Sequence, residues 1–114
     1  MSEPDPTEWG AKLRARFPDL QQSAELWERV KLQLAPGEER EGEVIARAPF
    51  GVWVDLGLGV PALQEVAEFE DAGTRRYALE DYPAEGSKLV ARITCFRDEG
   101  FQIYLSQRAR RLDA

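Results

Sequence analysis

The chain contains no histidine, and its only cysteine is Cys95. Without histidine it lacks the side chain that most often serves as a general base near neutral pH and as a metal ligand. A single cysteine excludes an internal disulfide and any zinc site built on cysteine pairs. No glycine-rich loop of the phosphate-cradling kind is present either. No apolar run approaches the roughly 20 residues that span a bilayer. Met1 to Pro6 lack the basic start and apolar centre of a signal peptide. Positive charge is also in short supply, since 15 Lys and Arg stand against 21 Asp and Glu for a formal charge of −6. The expectation is a cytoplasmic, non-catalytic protein with no metal, no cofactor and no membrane partner.

What remains is ordinary for one folded domain: 114 residues, 43% of them hydrophobic. Residues 1–35 read as a helical extension. Thr7 caps a helix to about Arg16, with Trp9, Leu13 and Phe17 at helical spacing and Lys12, Arg14 and Arg16 on its basic side. That basic side reads as a solvated face. Pro18 ends the helix, and Asp19, with Gln22 three residues on, starts a second one to about Leu34. Leu20, Trp27, Val30 and Leu34 form its apolar stripe, and Ala35-Pro36-Gly37 stops it.

Beyond Glu38 the apolar period shortens to two. Glu41 to Arg47 predicts a first strand, Gly51 to Leu56 a second and Val60 to Leu63 a third. A long acidic connection with a helical turn near Val66–Glu70 follows, then strands over Ser87–Arg97 and Phe101–Ser106. On the fourth strand the alternation places Leu89, Ala91, Ile93 and Cys95 inward and Arg92 outward. Residues 109–114 make a short tail. In the second strand Val52 and Val54 share one face and Trp53 and Asp55 the other, while Gly51 allows a bend that brings Phe50 to the side of Trp53. Asp55 reads as a turn residue that bonds backbone, and Cys95 as a small core residue.

Two helices followed by five strands, with a helical connection between the third and fourth, suit a five-stranded OB-fold barrel. Pattern alone leaves an SH3-like barrel open. In order along the chain, Pro36-Gly37, Gly42-Glu43-Val44, Pro49-Phe50-Gly51-Val52-Trp53-Val54-Asp55-Leu56-Gly57, Leu63, Gly86 and Ile103-Tyr104-Leu105-Ser106 resemble the S1-type RNA-binding domain. The resemblance covers residues 36–108. It implies a mainly β, S1-like OB-fold that binds single-stranded RNA by stacking bases on Phe50 and Trp53, with Arg47, Arg92 and Arg97 flanking. This chain departs from the family pattern at Glu65, where histidine is common, at Gln102, where a basic residue is common, and at Arg97-Asp98, where the usual acid is displaced. Two arrangements therefore follow. Either the two aromatics face solvent as a stacking platform, or they pack beneath the N-terminal helices through the Trp27–Val30 stripe. The second suits a protein–protein adaptor whose nucleic-acid face has degenerated and whose acidic 65–71 connection meets a basic partner.

Overall fold

Strong alternation from Glu39 onward gives five strands, and they close on one another. A computed structural model describes residues 8–18, 24–69 and 81–108. Helix α1 spans Glu8–Arg16 and α2 spans Ala24–Gln33. The strands are β1 (Glu39–Ala48), β2 (Gly51–Asp55), β3 (Pro61–Glu65), β4 (Lys88–Arg97) and β5 (Gln102–Ser106). They form a closed barrel in the order β1-β2-β3-β5-β4, in which only the β3–β5 pairing is parallel. Closure removes free sheet edges. The barrel is the expected five-stranded OB-fold preceded by helices. A short 3₁₀ turn at Val66–Glu68 follows β3 where a helical turn is expected. The Asp19–Gln22 cap, Leu20, the 72–74 loop, most of the Tyr77–Asp81 turn and the 109–114 tail lie outside the described residues.

The inward residues of all five strands make one core. Val44, Val52, Val54, Ala62, Leu89, Ala91, Ile93, Ile103 and Leu105 fill the barrel. Trp27, Val30 and Leu34 of the α2 stripe join them and stopper one end. Trp27 is 1% exposed, stacks on Phe101 at 5.7 Å and meets Phe96 edge-on at 5.9 Å. Its indole N–H donates to Asp98 Oδ1 at 2.7 Å, and Lys31 Nζ reaches the same oxygen at 2.8 Å. Phe101 adopts a positive φ of 55°, an uncommon conformation for a residue with a Cβ. Phe69 and Tyr82 close the other end, where the Tyr82 hydroxyl donates to the Pro49 carbonyl at 3.2 Å.

Two irregularities decide which side chains face out. The β4–β5 register shifts between Ile93 and Cys95, a β-bulge that inverts the alternation beyond it. Cys95 is therefore exposed rather than in the core, and Phe96 takes the inward position against Trp27. A second shift between Val44 and Ala46 places Ile45 and Ala46 together on the outer cluster. At the start of β2 the chains touch: a Cβ on Gly51 would lie 2.3 Å from the Gln64 carbonyl oxygen. Only glycine fits there.

Replacing Trp27 with alanine is expected to cost about 3–5 kcal/mol in urea unfolding, because it empties the stopper of the barrel. The hydrogen bonds from Lys31 and Trp27 hold the Asp98 carboxyl below its ordinary value. A depressed folded-state value stabilises above the unfolded value and is lost as pH falls through the folded one. The stability difference between the native chain and Asp98→Asn should therefore shrink across that acid range in a series of unfolding curves. A constant difference down to acid pH would refute this coupling.

Candidate nucleic-acid interface

The outer face of β2 is covered as completely as the inner one. Trp53 is 3% exposed, and Ile45, Ala46, Leu63 and Phe17 are buried with it in a second cluster outside the barrel. Strand register lines up Ala46, Trp53, Leu63 and Tyr104 across β1, β2, β3 and β5 as a continuous outer row. Helix α1 lies along this row. The predicted spacing of Trp9, Leu13 and Phe17 gives it one apolar side, and all three pack on the outer cluster.

The rings fit closely. Trp9 stacks on Trp53 with centroids 5.8 Å apart and planes 21° apart. Phe50 meets Trp9 edge-on at 5.2 Å and Trp53 edge-on at 6.3 Å. Such pairs add about 0.5–1.5 kcal/mol beyond the area they bury. Ion pairs fix the rest of the helix. Arg16 Nη1 donates to Asp55 Oδ2 at 2.5 Å, with Glu43 3.6 Å from the other amino group, and Lys12 Nζ lies 2.6 Å from Glu85. The hydrogen bond to Asp55, helped by the charges of Asp55 and Glu43, holds the Arg16 guanidinium above its ordinary value. These pairs are partly solvated, so each contributes only about 0.2–1 kcal/mol. Among the described residues the Trp53 Nε1–H is buried without a hydrogen-bond partner, as are both side-chain amide atoms of Gln64. An unmet buried donor costs about 1–3 kcal/mol.

The structure gathers some of the predicted residues and disperses others. Phe50 and Trp53 do share a face, and Phe50 is 39% exposed. Arg97 stands on the same outer side, its Nη1 donating to the Tyr104 hydroxyl at 3.2 Å. Tyr104, backed by Glu99, holds that guanidinium above its ordinary value. Arg47 pairs in register with Val52, so it points to the reverse face of β2 from Trp53. Arg92 pairs with Glu39 on β1 and with Ser106 on β5, two residues past Tyr104, and donates to the Arg108 carbonyl. Asp55 accepts the Gly57 N–H at 2.8 Å, the backbone-bonding role expected of it, and takes Arg16 on its other oxygen.

The covering helix is α1 rather than the Trp27–Val30 stripe of α2, whose side chains are spent inside the barrel. The basic residues of α1 are correspondingly not a plain solvated face, since Lys12 and Arg16 pin the helix to barrel acids. Sequence reading missed Trp9 and Tyr104 as members of the site. The Trp9–Leu13–Phe17 stripe was the signal for Trp9, but it carries no address. Beyond the end of α1, a cavity of about 410 Å³ opens between Leu13, Arg14 and Phe17 and the barrel residues Pro61 and Gln102. Among the described residues no group of three or more His, Cys, Asp or Glu is placed to hold a metal ion, and no helix is long and apolar enough to cross a membrane.

Known structures share the fold. GSP13 from Bacillus subtilis is 18% identical, and the match covers 71% of this chain and 64% of that one with a TM-score of 0.57. A chain of the a/eIF2alpha–aDim2p–rRNA complex from Pyrococcus horikoshii OT3 is 26% identical, over 65% of this chain and 44% of that one, with a TM-score of 0.56. A multidomain protein with nucleic acid binding domains from Streptococcus pneumoniae TIGR4 is 22% identical, over 78% and 29%, at 0.52. In each case the match spans less than two thirds of the other chain. With these likenesses and its strand order, the barrel is the five-stranded OB-fold that the resemblance to S1-type domains implies. No protein-family model and no curated protein matches the sequence.

Asp55→Ala removes both the Gly57 contact and the anchor of Arg16. Loss of about 1–2 kcal/mol is expected in chemical unfolding, together with stronger acrylamide quenching of tryptophan emission as Trp53 and Trp9 become accessible. Unchanged quenching would show that the ion pair does not hold α1.

Proposed function

We propose that the chain is a non-catalytic nucleic-acid-binding module that takes single-stranded RNA on the outer face of β2. Unpaired bases stack on Phe50 and Trp53, and Arg97 beside Tyr104 meets the backbone. The observation that carries this reading is the perpendicular Phe50–Trp53 pair, adjacent at 6.3 Å on the barrel's outer face with Phe50 reaching solvent. Every base offers a π-face, so stacking at such a pair is tolerant of sequence and contributes about 1–3 kcal/mol per base. The similar structures support the same class: one belongs to a complex with rRNA, and another is a multidomain protein with nucleic acid binding domains. With Arg97 held beside Tyr104 and acids bordering the face, the charge contribution is small and the affinity modest.

A second reading, an adaptor for another protein, has its own observation. Trp53 is buried under α1, and the acids Glu43, Asp55 and Glu65 border the face, an arrangement that disfavours phosphate.

Fluorescence anisotropy with a labelled single-stranded RNA of about 12 nucleotides separates the two. On the RNA reading, binding appears at low salt and weakens linearly on a log–log plot as salt rises. Phe50→Ala and Trp53→Ala each weaken it about tenfold, equivalent to about 1.4 kcal/mol of lost stacking. No binding at low salt, either by the native chain or by a variant in which Trp53 is uncovered, removes the RNA reading and leaves the adaptor.

A further inference from the structure

The contacts of α1 differ in kind from those that hold the barrel together. Among the described residues no side chain of α1 enters the inner core, which is built from Trp27 onward; its apolar residues pack on the outer cluster. It can therefore leave without opening the barrel. Its attachments are a ring stack, two apolar side chains and ion pairs at the protein surface. At nine residues, α1 is also too short to persist as a helix by itself, so undocking and unwinding are one event.

Its way of docking matters more. The Trp9 indole, a flat bicyclic ring, lies nearly parallel to Trp53 in the place a stacked base needs, and its coverage leaves Trp53 3% exposed. A base and Trp9 cannot occupy that position together. Among the described residues the Trp53 Nε1–H, on the ring that Trp9 covers, is buried without a partner. The covered state is thus incompletely satisfied at the group it hides.

From these observations we infer that α1 is an intramolecular competitor for the aromatic face of β2: Trp9 occupies the base position on Trp53, and single-stranded RNA gains that position only when α1 is displaced. The inference rests on the RNA reading above and adds its regulation. Observed affinity then equals the intrinsic affinity scaled by the fraction of molecules with α1 undocked. Anything that captures the apolar side of α1 raises that fraction.

The test is the same anisotropy titration on the full chain, comparing native protein, Trp9→Ala and Trp9→Ala/Trp53→Ala, with circular dichroism to confirm that the barrel stays folded. Trp9→Ala should bind at least about fivefold tighter than the native chain, and the double variant should lose that gain. Arg16→Ala, which releases the helix without removing a ring, should shift affinity in the same direction by a smaller factor. It decides the matter if Trp9→Ala does not fold. RNA binding that is unchanged or weaker in the folded single variants overturns the competitor role while leaving the RNA reading in place. Absence of binding in the native chain and in both single variants overturns the RNA reading, and the competitor role with it.

Discussion

Strand β2 is buried on both of its faces, and the rest of the molecule is arranged to make that possible. Val52 and Val54 point into a closed barrel, while Trp53 points out into a second apolar cluster. A five-residue strand in an antiparallel sheet ordinarily leaves one face to water. Here the outward tryptophan needs its own cover, and α1 supplies it. The glycine that begins the strand serves the same end. By letting the Gln64 carbonyl of β3 come close, Gly51 turns the chain so that Phe50 joins Trp53 instead of opposing it.

The two N-terminal helices, adjacent in the chain, consequently do different work. Trp27 of α2 is a core residue, tied to the β4–β5 turn by Asp98 and stacked on Phe101. Trp9 of α1 is a surface cover, tied to the barrel by exposed ion pairs. Both are tryptophans on amphipathic nine- or ten-residue helices. Their energetic consequences differ because one fills the inside of the barrel and the other shields its outside.

The barrel was legible because its signal is local. Alternation in β2 and β4, the Gly51 bend and the Pro36-Gly37 stop each constrain a few neighbouring residues, and the closed five-strand order agrees with all of them. Alternation fails where a bulge interrupts it. Nothing in the residue types betrays the shift between Ile93 and Cys95, so plain alternation puts Cys95 inward, the reverse of the structure. The site was half legible. Phe50 and Trp53 follow from one strand and one glycine, whereas the positions of Arg47 and Arg92 depend on register between strands, which spacing along a single strand does not contain. Likewise an apolar helical stripe announces that α1 must cover something without saying which surface.

The Trp27 stopper has a consequence for α1 as well. It pins the start of α2 to the barrel, and only residues 17–23 separate α1 from that fixed point. At most about 3.5 Å per residue, seven residues hold a released α1 within roughly 25 Å of its anchor. Such a short tether corresponds to an effective concentration in the millimolar range. Any ligand arriving at Trp53 from solution meets a rival that never diffuses away, so occupancy of that face is governed by local chain geometry as much as by chemistry.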